Sequence, residues 1–179
     1  MNISTALKRL NSWDKQGRFI FTRADLAKIF HEDGPRAFKA GLQRLVADEI
    51  LLRPVRGVYF YALSQSQGDD TIELIARALR RGEYNYVSLE SALSEYGVIS
   101  QIPVDRLTVV TTGRKGEYPT PFGTIEFTHT KRRPVDILLG VREVGRPLKL
   151  ATAAVAWRDL KRVGRNTHLV NEQELALHG

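Results

Sequence analysis

The chain has 179 residues, 42% of them hydrophobic, with 27 Lys and Arg against 20 Asp and Glu and a formal net charge of +7. That length suits one large or two small packed domains, and the absence of cysteine excludes disulfides, thiolate chemistry and cysteine-ligated zinc. The segment Met1 to Arg9 lacks the apolar run of a signal peptide and no stretch approaches membrane-spanning length, so a cytoplasmic protein that does not enter the membrane is expected.

In chain order, Asn2 to Lys15 reads as a first helix with Ile3, Leu7, Leu10 and Trp13 inward; Trp13 reads equally well as a clamp at a domain border. Thr22 and Asp25 have the N-cap and N3 spacing of a capping box, flanked by Phe21 and Leu26 as a hydrophobic staple. The helix that follows carries Leu26, Ile29 and Phe30 on one stripe. Gly34-Pro35 restarts the chain, because proline suits a first helical position, where its missing N–H has no intrahelical acceptor. The next helix, Pro35 to Asp48, turns Phe38, Leu42 and Leu45 to the core and Arg36, Lys39, Ala40 and Gln43 outward, with Arg44 at the border. Side chains of these donor types meet phosphates and base edges, although an ordinary amphipathic helix with a solvated basic face has the same composition.

Ile50 to Val55 and Val58 to Leu63 flank Arg56-Gly57 and read as a β-hairpin. Pro54 cannot donate to a ladder and so belongs on an edge strand, while Arg53 and Arg56 bring positive charge to the tip. Helix, helix and hairpin in this order predict a winged helix-turn-helix over residues 1–63. In that reading Arg36, Lys39, Gln43 and Arg44 read or position the major groove of double-stranded DNA, and Arg53 and Arg56 anchor the wing. The charge is distributed accordingly: residues 1–63 carry 11 Lys and Arg against 6 Asp and Glu, and residues 64–179 carry 16 against 14.

Ser64 to Asp70 is polar, lacks apolar anchors and reads as a linker. Residues 71–179 form a second unit of mixed character. A helix over Thr71 to Arg81 buries Ile72, Ile75, Ala76 and Leu79; a second is capped by Ser88, carries Leu89, Ala92, Leu93 and Tyr96, and leaves through Gly97. Alternation predicts strands over Arg106 to Thr112 and Gly123 to Thr130, separated by a turn-rich connection from Gly113 to Phe122. A strand near Val135 to Leu139, a helix from Ala151 to Val163 stopped by Gly164, and a short helix after Asn171 complete it. The expected fold class is α+β: a winged helix-turn-helix domain followed by a mixed α/β domain.

Catalysis finds little support. His31, His129, His168 and His178 are scattered, with no H-E-x-x-H pair to hold a metal. Gly113-Arg114-Lys115-Gly116 lacks the spacing of a phosphate-binding loop and reads as a hairpin turn. No serine lies in a G-x-S-x-G elbow, and nothing converges the carboxylates Glu90, Glu95 and Glu126. No enzyme activity, metal or cofactor is therefore expected, and an enzyme with an unrecognised site ranks last among the readings. Lys131-Arg132-Arg133 is a concentrated basic cluster, extended by Arg114 and Lys115, that reads either as a partner surface for nucleic acid or an acidic protein or as a solvated loop.

Four runs follow one another over most of the chain: Arg56-Gly57-Val58-Tyr59, Tyr86-Val87-Ser88-Leu89-Glu90-Ser91-Ala92-Leu93-Ser94-Glu95-Tyr96-Gly97, Val109-Val110-Thr111-Thr112-Gly113-Arg114 and Gly123-Thr124-Ile125-Glu126-Phe127-Thr128-His129. In order and spacing they resemble the AbiEi antitoxins of bacterial abortive-infection systems, which act in phage defence. The resemblance implies the antitoxin half of a type IV toxin–antitoxin pair, whose winged domain represses its own operon by binding promoter inverted repeats. A single winged unit reads only a few base pairs, so an inverted repeat needs two protomers, associated beforehand or assembled on the site. The resemblance also implies that the C-terminal domain counters a nucleotidyltransferase-like toxin without a stable complex. Many relatives are longer after the central strands, a departure that bears on the antitoxin activity. The alternative from another class is a non-catalytic protein-interaction adaptor that uses a winged domain.

Overall fold

The computed structural model describes residues 1–100 and 105–178. Helix α1 (Ile3–Asp14) starts where the Asn2 side chain accepts the Ser4 amide, satisfying one donor that a first turn leaves free. Its buried face is Ala6, Leu10 and Asp14; Ile3 is exposed, and Leu7 and Trp13 are half-buried. The inward stripe is therefore rotated from the expected one, and Asp14 gives the reason. Its carboxylate accepts from the Ser64 hydroxyl and from the Gln65 amide at 3.0 Å, while the Ser66 hydroxyl donates to the Asp14 carbonyl at 2.8 Å. Burial opposes ionisation of Asp14, but these hydrogen bonds together outweigh it and hold the carboxyl below its ordinary range. The start of the stretch expected as a linker is thus tied to α1, and the chain divides into compact units at Met1–Thr71 and Ile72–Gly179.

In the first unit, strand β1 (Ile20–Thr22) runs directly into helix α2 (Arg23–Ile29). Thr22 Oγ1 accepts the Asp25 amide and Asp25 Oδ2 accepts the Thr22 amide at 2.8 Å, closing the capping box, with Phe21 and Leu26 fully buried at staple spacing. Helix α3 (Pro35–Ala47) has proline in its first turn and buries Phe38, Gly41, Leu42 and Leu45. A Cβ at Gly41 would come within 2.9 Å of the Met1 side chain, so a larger residue there would force Met1 to shift. Strands β2 (Leu51–Val55) and β3 (Val58–Tyr61) form a hairpin around Arg56-Gly57, where Gly57 takes φ +90°. The sheet order is β1-β3-β2, with both pairings antiparallel, so β2 and its Pro54 lie on an edge as expected.

The second unit contains α4 (Thr71–Leu79), β4 (Asn85–Val87), α5 (Leu89–Glu95), β5 (Arg106–Thr111), β6 (Gly116–Thr120), β7 (Gly123–His129), α6 (Pro134–Leu139), β8 (Val141–Arg142), β9 (Lys149–Ala151), α7 (Ala153–Val163), a 3-10 turn at Thr167–Leu169, and α8 (Glu172–Leu177). Its six strands are ordered β6-β7-β5-β4-β9-β8, with parallel pairs β5/β7 and β4/β9 and the remainder antiparallel. The fold is α+β.

Several elements depart from expectation. Val135 to Leu139 is helix α6 and not a strand: Pro134 opens its first turn, Asp136 favours a helix start, and only Ile137 is fully buried. The expected turn-rich connection contains β6, whose Gly116 and Pro119 are tolerated because an edge strand needs partners on one side only. Helix α4 ends at Leu79, and Ile72 and Leu79 are only half-buried, whereas Glu73 is buried, 3.1 Å from Arg146 and accepting the Leu148 amide. Ser88 stands at the N-cap of α5 but does not cap it. Its hydroxyl donates to Asp159 of α7 at 2.9 Å, beside the Tyr86 hydroxyl at 3.0 Å. Burial of the Tyr86 phenol, followed by the charge of and hydrogen bond to Asp159, drives its titration far upward.

An alternating chain of charges crosses the sheet of this unit. Arg165 grips Glu90 with Nε at 2.7 Å and Nη2 at 3.1 Å and also contacts Glu126; Arg106 bridges Glu126 at 2.7 Å and Glu117 at 3.1 Å; Asn166 donates to Glu90 at 3.0 Å. Leu89 and Asn166 have φ of +57° and +54°, a left-handed backbone that costs non-glycine residues of order 1–3 kcal/mol each. Both adjoin the Glu90–Arg165 pair, whose charge-assisted bonds offset that strain.

Two stability predictions follow from these contacts. Asp14→Ala removes the acceptor of both the buried Ser64 hydroxyl and the Gln65 amide, leaving Ser64 only the Ser66 amide it accepts, and should cost about 2–3 kcal/mol of first-unit stability in denaturant titrations. Burial opposes ionisation of Glu90, but Arg165 and Asn166 override it and lower its titration. Its contribution is therefore complete above the ordinary glutamate range and lost as pH falls through the depressed value. The melting temperature of the second unit should drop between about pH 5 and about pH 3, and Glu90→Gln should flatten that drop while lowering the melting temperature at neutral pH.

Candidate nucleic-acid interface

The cationic side chains of the first unit converge because three short elements end beside one another. Phe38, Leu42 and Leu45 hold one face of α3 against the core, so Arg36, Lys39, Ala40 and Gln43 fall on the opposite, exposed face, with Arg44 exposed at its edge. In the hairpin, Leu52 pairs with Phe60 and Val55 with Val58, which leaves Arg53 and Pro54 together opposite Tyr59. This is a β-bulge, a device that re-aims side chains at a sheet edge. The Arg53 guanidinium lies 5.6 Å over the Tyr59 ring, which holds an exposed cation in place without neutralising it. Arg56 is exposed at the turn.

Between α3 and the hairpin lies an open cleft of about 400 Å³. Lys39, Gln43, Arg53 and Arg56 line it together with Arg23 and Tyr59, over a floor of Leu42 and Val46. No carboxylate lines it. Four of the six residues expected at a DNA surface are therefore brought together, while Arg36 and Arg44 are exposed on α3 outside the cleft. Among the described residues, Lys39, Gln43 and Arg56 make no side-chain hydrogen bond or ion pair. Four unneutralised cations and one neutral amide that both donates and accepts give the cleft the chemistry to hold a polyanion and to read a polar edge.

Sequence reasoning missed Arg23 and Tyr59. Arg23 is the first helical residue after the Thr22 cap, so the capping box that was legible also fixes Arg23 at an exposed helix start; its guanidinium lies 6.0 Å from the Phe38 ring. Tyr59 read only as a strand residue, and its role depends on a bulge that pattern does not announce.

The second cluster is partly assembled. Because β5 and β7 are parallel, with Thr111 opposite His129, the turn bearing Arg114 and Lys115 and the segment Lys131-Arg132-Arg133 leave the sheet at the same end. His129 Nδ1 lies 2.8 Å from the Gly113 carbonyl, joining the two. The members differ in availability: Arg133 is paired with Asp136 at 3.0 and 3.2 Å, Arg132 is half-buried, and Arg114, Lys115 and Lys131 are exposed. Lys115 also lines a cleft of about 660 Å³ with Glu90, Arg106, Glu117, Glu126 and Arg165, whose charges compensate one another. Among the described residues, no group of three or more His, Asp or Glu side chains could hold a metal ion, and no helix is long and apolar enough to cross a membrane.

No protein-family model matches the chain, and no curated protein matches it. Among solved structures, the crystal structure of the RV2827C protein from Mycobacterium tuberculosis is similar, with a TM-score of 0.53 and 15% sequence identity over 96% of this chain and 70% of that one. At that identity the likeness concerns the fold alone.

Proposed function

We propose that this protein is a sequence-specific DNA-binding repressor whose first unit acts as a winged helix-turn-helix. Helix α3 would enter the major groove, which is wide enough to admit one helix, and the β2–β3 hairpin would lie along the flanking backbone. The observation that carries the reading is the cleft in which Arg23, Lys39, Arg53 and Arg56 surround Gln43 with no carboxylate among them. In this reading the cations meet phosphates and set affinity, whereas Gln43, able to donate and accept at once, pairs with an adenine edge. One such unit reads only a few base pairs, so an inverted repeat takes two copies. The order of motifs resembling the AbiEi antitoxins extends the proposal: an autoregulating cytoplasmic antitoxin of a type IV pair, without catalysis, that counters a nucleotidyltransferase-like toxin and forms no stable complex with it.

The test is binding to the chain's own promoter DNA, against shuffled DNA of equal length, across a salt series. Four phosphate contacts per unit predict that log affinity falls with log salt at a slope of about −3 to −4 per bound unit. Arg56→Ala should weaken all sequences alike and reduce that slope by about one, whereas Gln43→Ala should cost about 1–3 kcal/mol on the preferred site, relax specificity and leave the slope unchanged. Equal, weak binding to both DNAs that vanishes with salt would remove the repressor reading in favour of an adaptor.

A further inference from the structure

The charge of the second unit is unevenly distributed along the chain in a way its small net value conceals, although Arg146 and Arg165 are paired with carboxylates elsewhere in the unit. From Thr128 to Val170 there are ten Lys and Arg and three carboxylates. Of the three, Asp136 is paired with Arg133, Glu143 with Lys149, and Asp159 is buried against Tyr86 and Ser88. Within this basic segment, α6 exposes Val135 at 63%, Leu138 at 47% and Leu139 at 80%, a spacing of i, i+3 and i+4 that places all three on one helical face. Lys131, Arg132 and Arg133 immediately precede that face in the chain.

Helix α8 has the opposite character. Between Asn171 and Leu177 there are two carboxylates, Glu172 and Glu174, and no Lys or Arg, and neither carboxylate has an ion pair among the described residues. Its inner side is anchored: the Asn171 amide donates to the Val98 carbonyl at 2.9 Å, and His178 Nε2 lies 2.9 Å from the Tyr96 carbonyl. Its outer side leaves Leu177 76% exposed. Leu139 and Leu177 are the two most exposed large hydrophobic side chains among the described residues, one beside cations and the other beside carboxylates.

We propose that α8 of one copy docks on the α6 face of a second copy, and reciprocally, so that the chain forms a two-fold dimer through its second unit. Leu177 would cover Val135, Leu138 and Leu139, while Glu172 and Glu174 would face Lys131 and Arg133. Two-fold symmetry makes the junction twice, which is how two modest patches bury enough area for a stable pair. Nucleic acid is a poorer occupant, because a stripe of valine and leucine offers nothing to phosphate. A membrane surface is poorer too, because it leaves the acidic, leucine-bearing α8 without a role.

Sedimentation velocity of the full chain without DNA, over roughly 1 to 100 µM, tests this directly. The wild type should show a concentration-dependent dimer, and Leu139→Glu and Leu177→Glu should each weaken association by at least about tenfold with unchanged circular dichroism. A charge exchange supplies the control. Lys131→Glu/Arg133→Glu and Glu172→Lys/Glu174→Lys should each be monomeric alone, since both junctions are then repulsive, and should associate when mixed, since both junctions are then complementary. A wild type that stays monomeric over this range, association indifferent to both leucines, or Leu139-dependent sedimentation with anionic phospholipid vesicles by a monomeric chain would overturn the proposal. The measurement contains no DNA, so its failure would leave the reading of the first unit standing.

Discussion

Strand β3 is the constraint on which the first unit depends. All four of its residues, Val58 to Tyr61, are buried, and it pairs with β1 on one side and β2 on the other. Through β1 it fixes the entry to α2, because Thr22 is at once the last strand residue, paired with Val58, and the cap that starts the helix at Arg23. Through β2 it fixes Arg53 and the turn at Arg56. Arg23 and Arg56 are 33 positions apart in the chain, yet the same strand holds the backbone of both. Tyr59 acts on both levels: its backbone pairs with Phe21, and its ring supports the Arg53 guanidinium. A substitution that loosened β3 would therefore disperse the cations without touching any of them.

The two units handle charge by different rules. In the second, Arg106 and Arg165 spend their hydrogen bonds on Glu90, Glu117 and Glu126, and a charge paired with two carboxylates has little left for a ligand. Those ion pairs join α5, β5, β6, β7 and the segment after α7, and they stand next to two residues with left-handed backbone, which marks them as architecture. In the first unit, Arg9, Arg18 and the amino terminus are paired with Glu32, Asp25 and Asp33, whereas Lys39 and Arg56 are left unneutralised. Like charges gathered around one cleft repel one another in the absence of a partner, a cost that binding a polyanion removes. The distinction between paired and unpaired cations, more than the count of either, is what separates scaffold from the proposed binding surface.

Much of the first unit was legible because its signals are local. A capping box, a proline at a helix start and a glycine in a two-residue turn each dictate backbone within a few residues, and α2, α3 and the hairpin stand where those signals put them. Rotation of α1 was not legible, because Asp14 is drawn inward by Ser64 and Gln65, some fifty residues away. In the second unit β4, β8 and β9 have only two or three residues each, too few for alternation to show, and β6 contains the glycine and proline that ordinarily argue against a strand. Residues 135–139 are apolar apart from Asp136 and too few to show a period that tells strand from helix; Pro134 and Asp136 were the better guides. At the candidate interface, Lys39, Gln43, Arg53 and Arg56 could be named from pattern, and Arg23 and Tyr59 could not, because their membership depends on which strands are neighbours.

Net charge illustrates the same limit from another side. Taken as a block, residues 64–179 are nearly balanced, with 16 Lys and Arg against 14 Asp and Glu, and a block count assigns the basic character of the chain to its first unit. The balance is made of two opposed parts, since the excess of basic residues between Thr128 and Val170 is offset by acidic residues before and after it. Charges that cancel in a sum do not cancel in space unless they are paired, and the pairings show where cancellation is real: at Glu73 with Arg146, at Glu95 with Arg146, and at Glu90 and Glu126 with Arg165. Among the charges outside those pairs are Lys131, next to a helix that exposes Leu139, and Glu172 and Glu174, on a helix that exposes Leu177. That pairing of opposite charge with exposed leucine is what the proposed two-fold dimer rests on, since each copy would offer both halves of the junction.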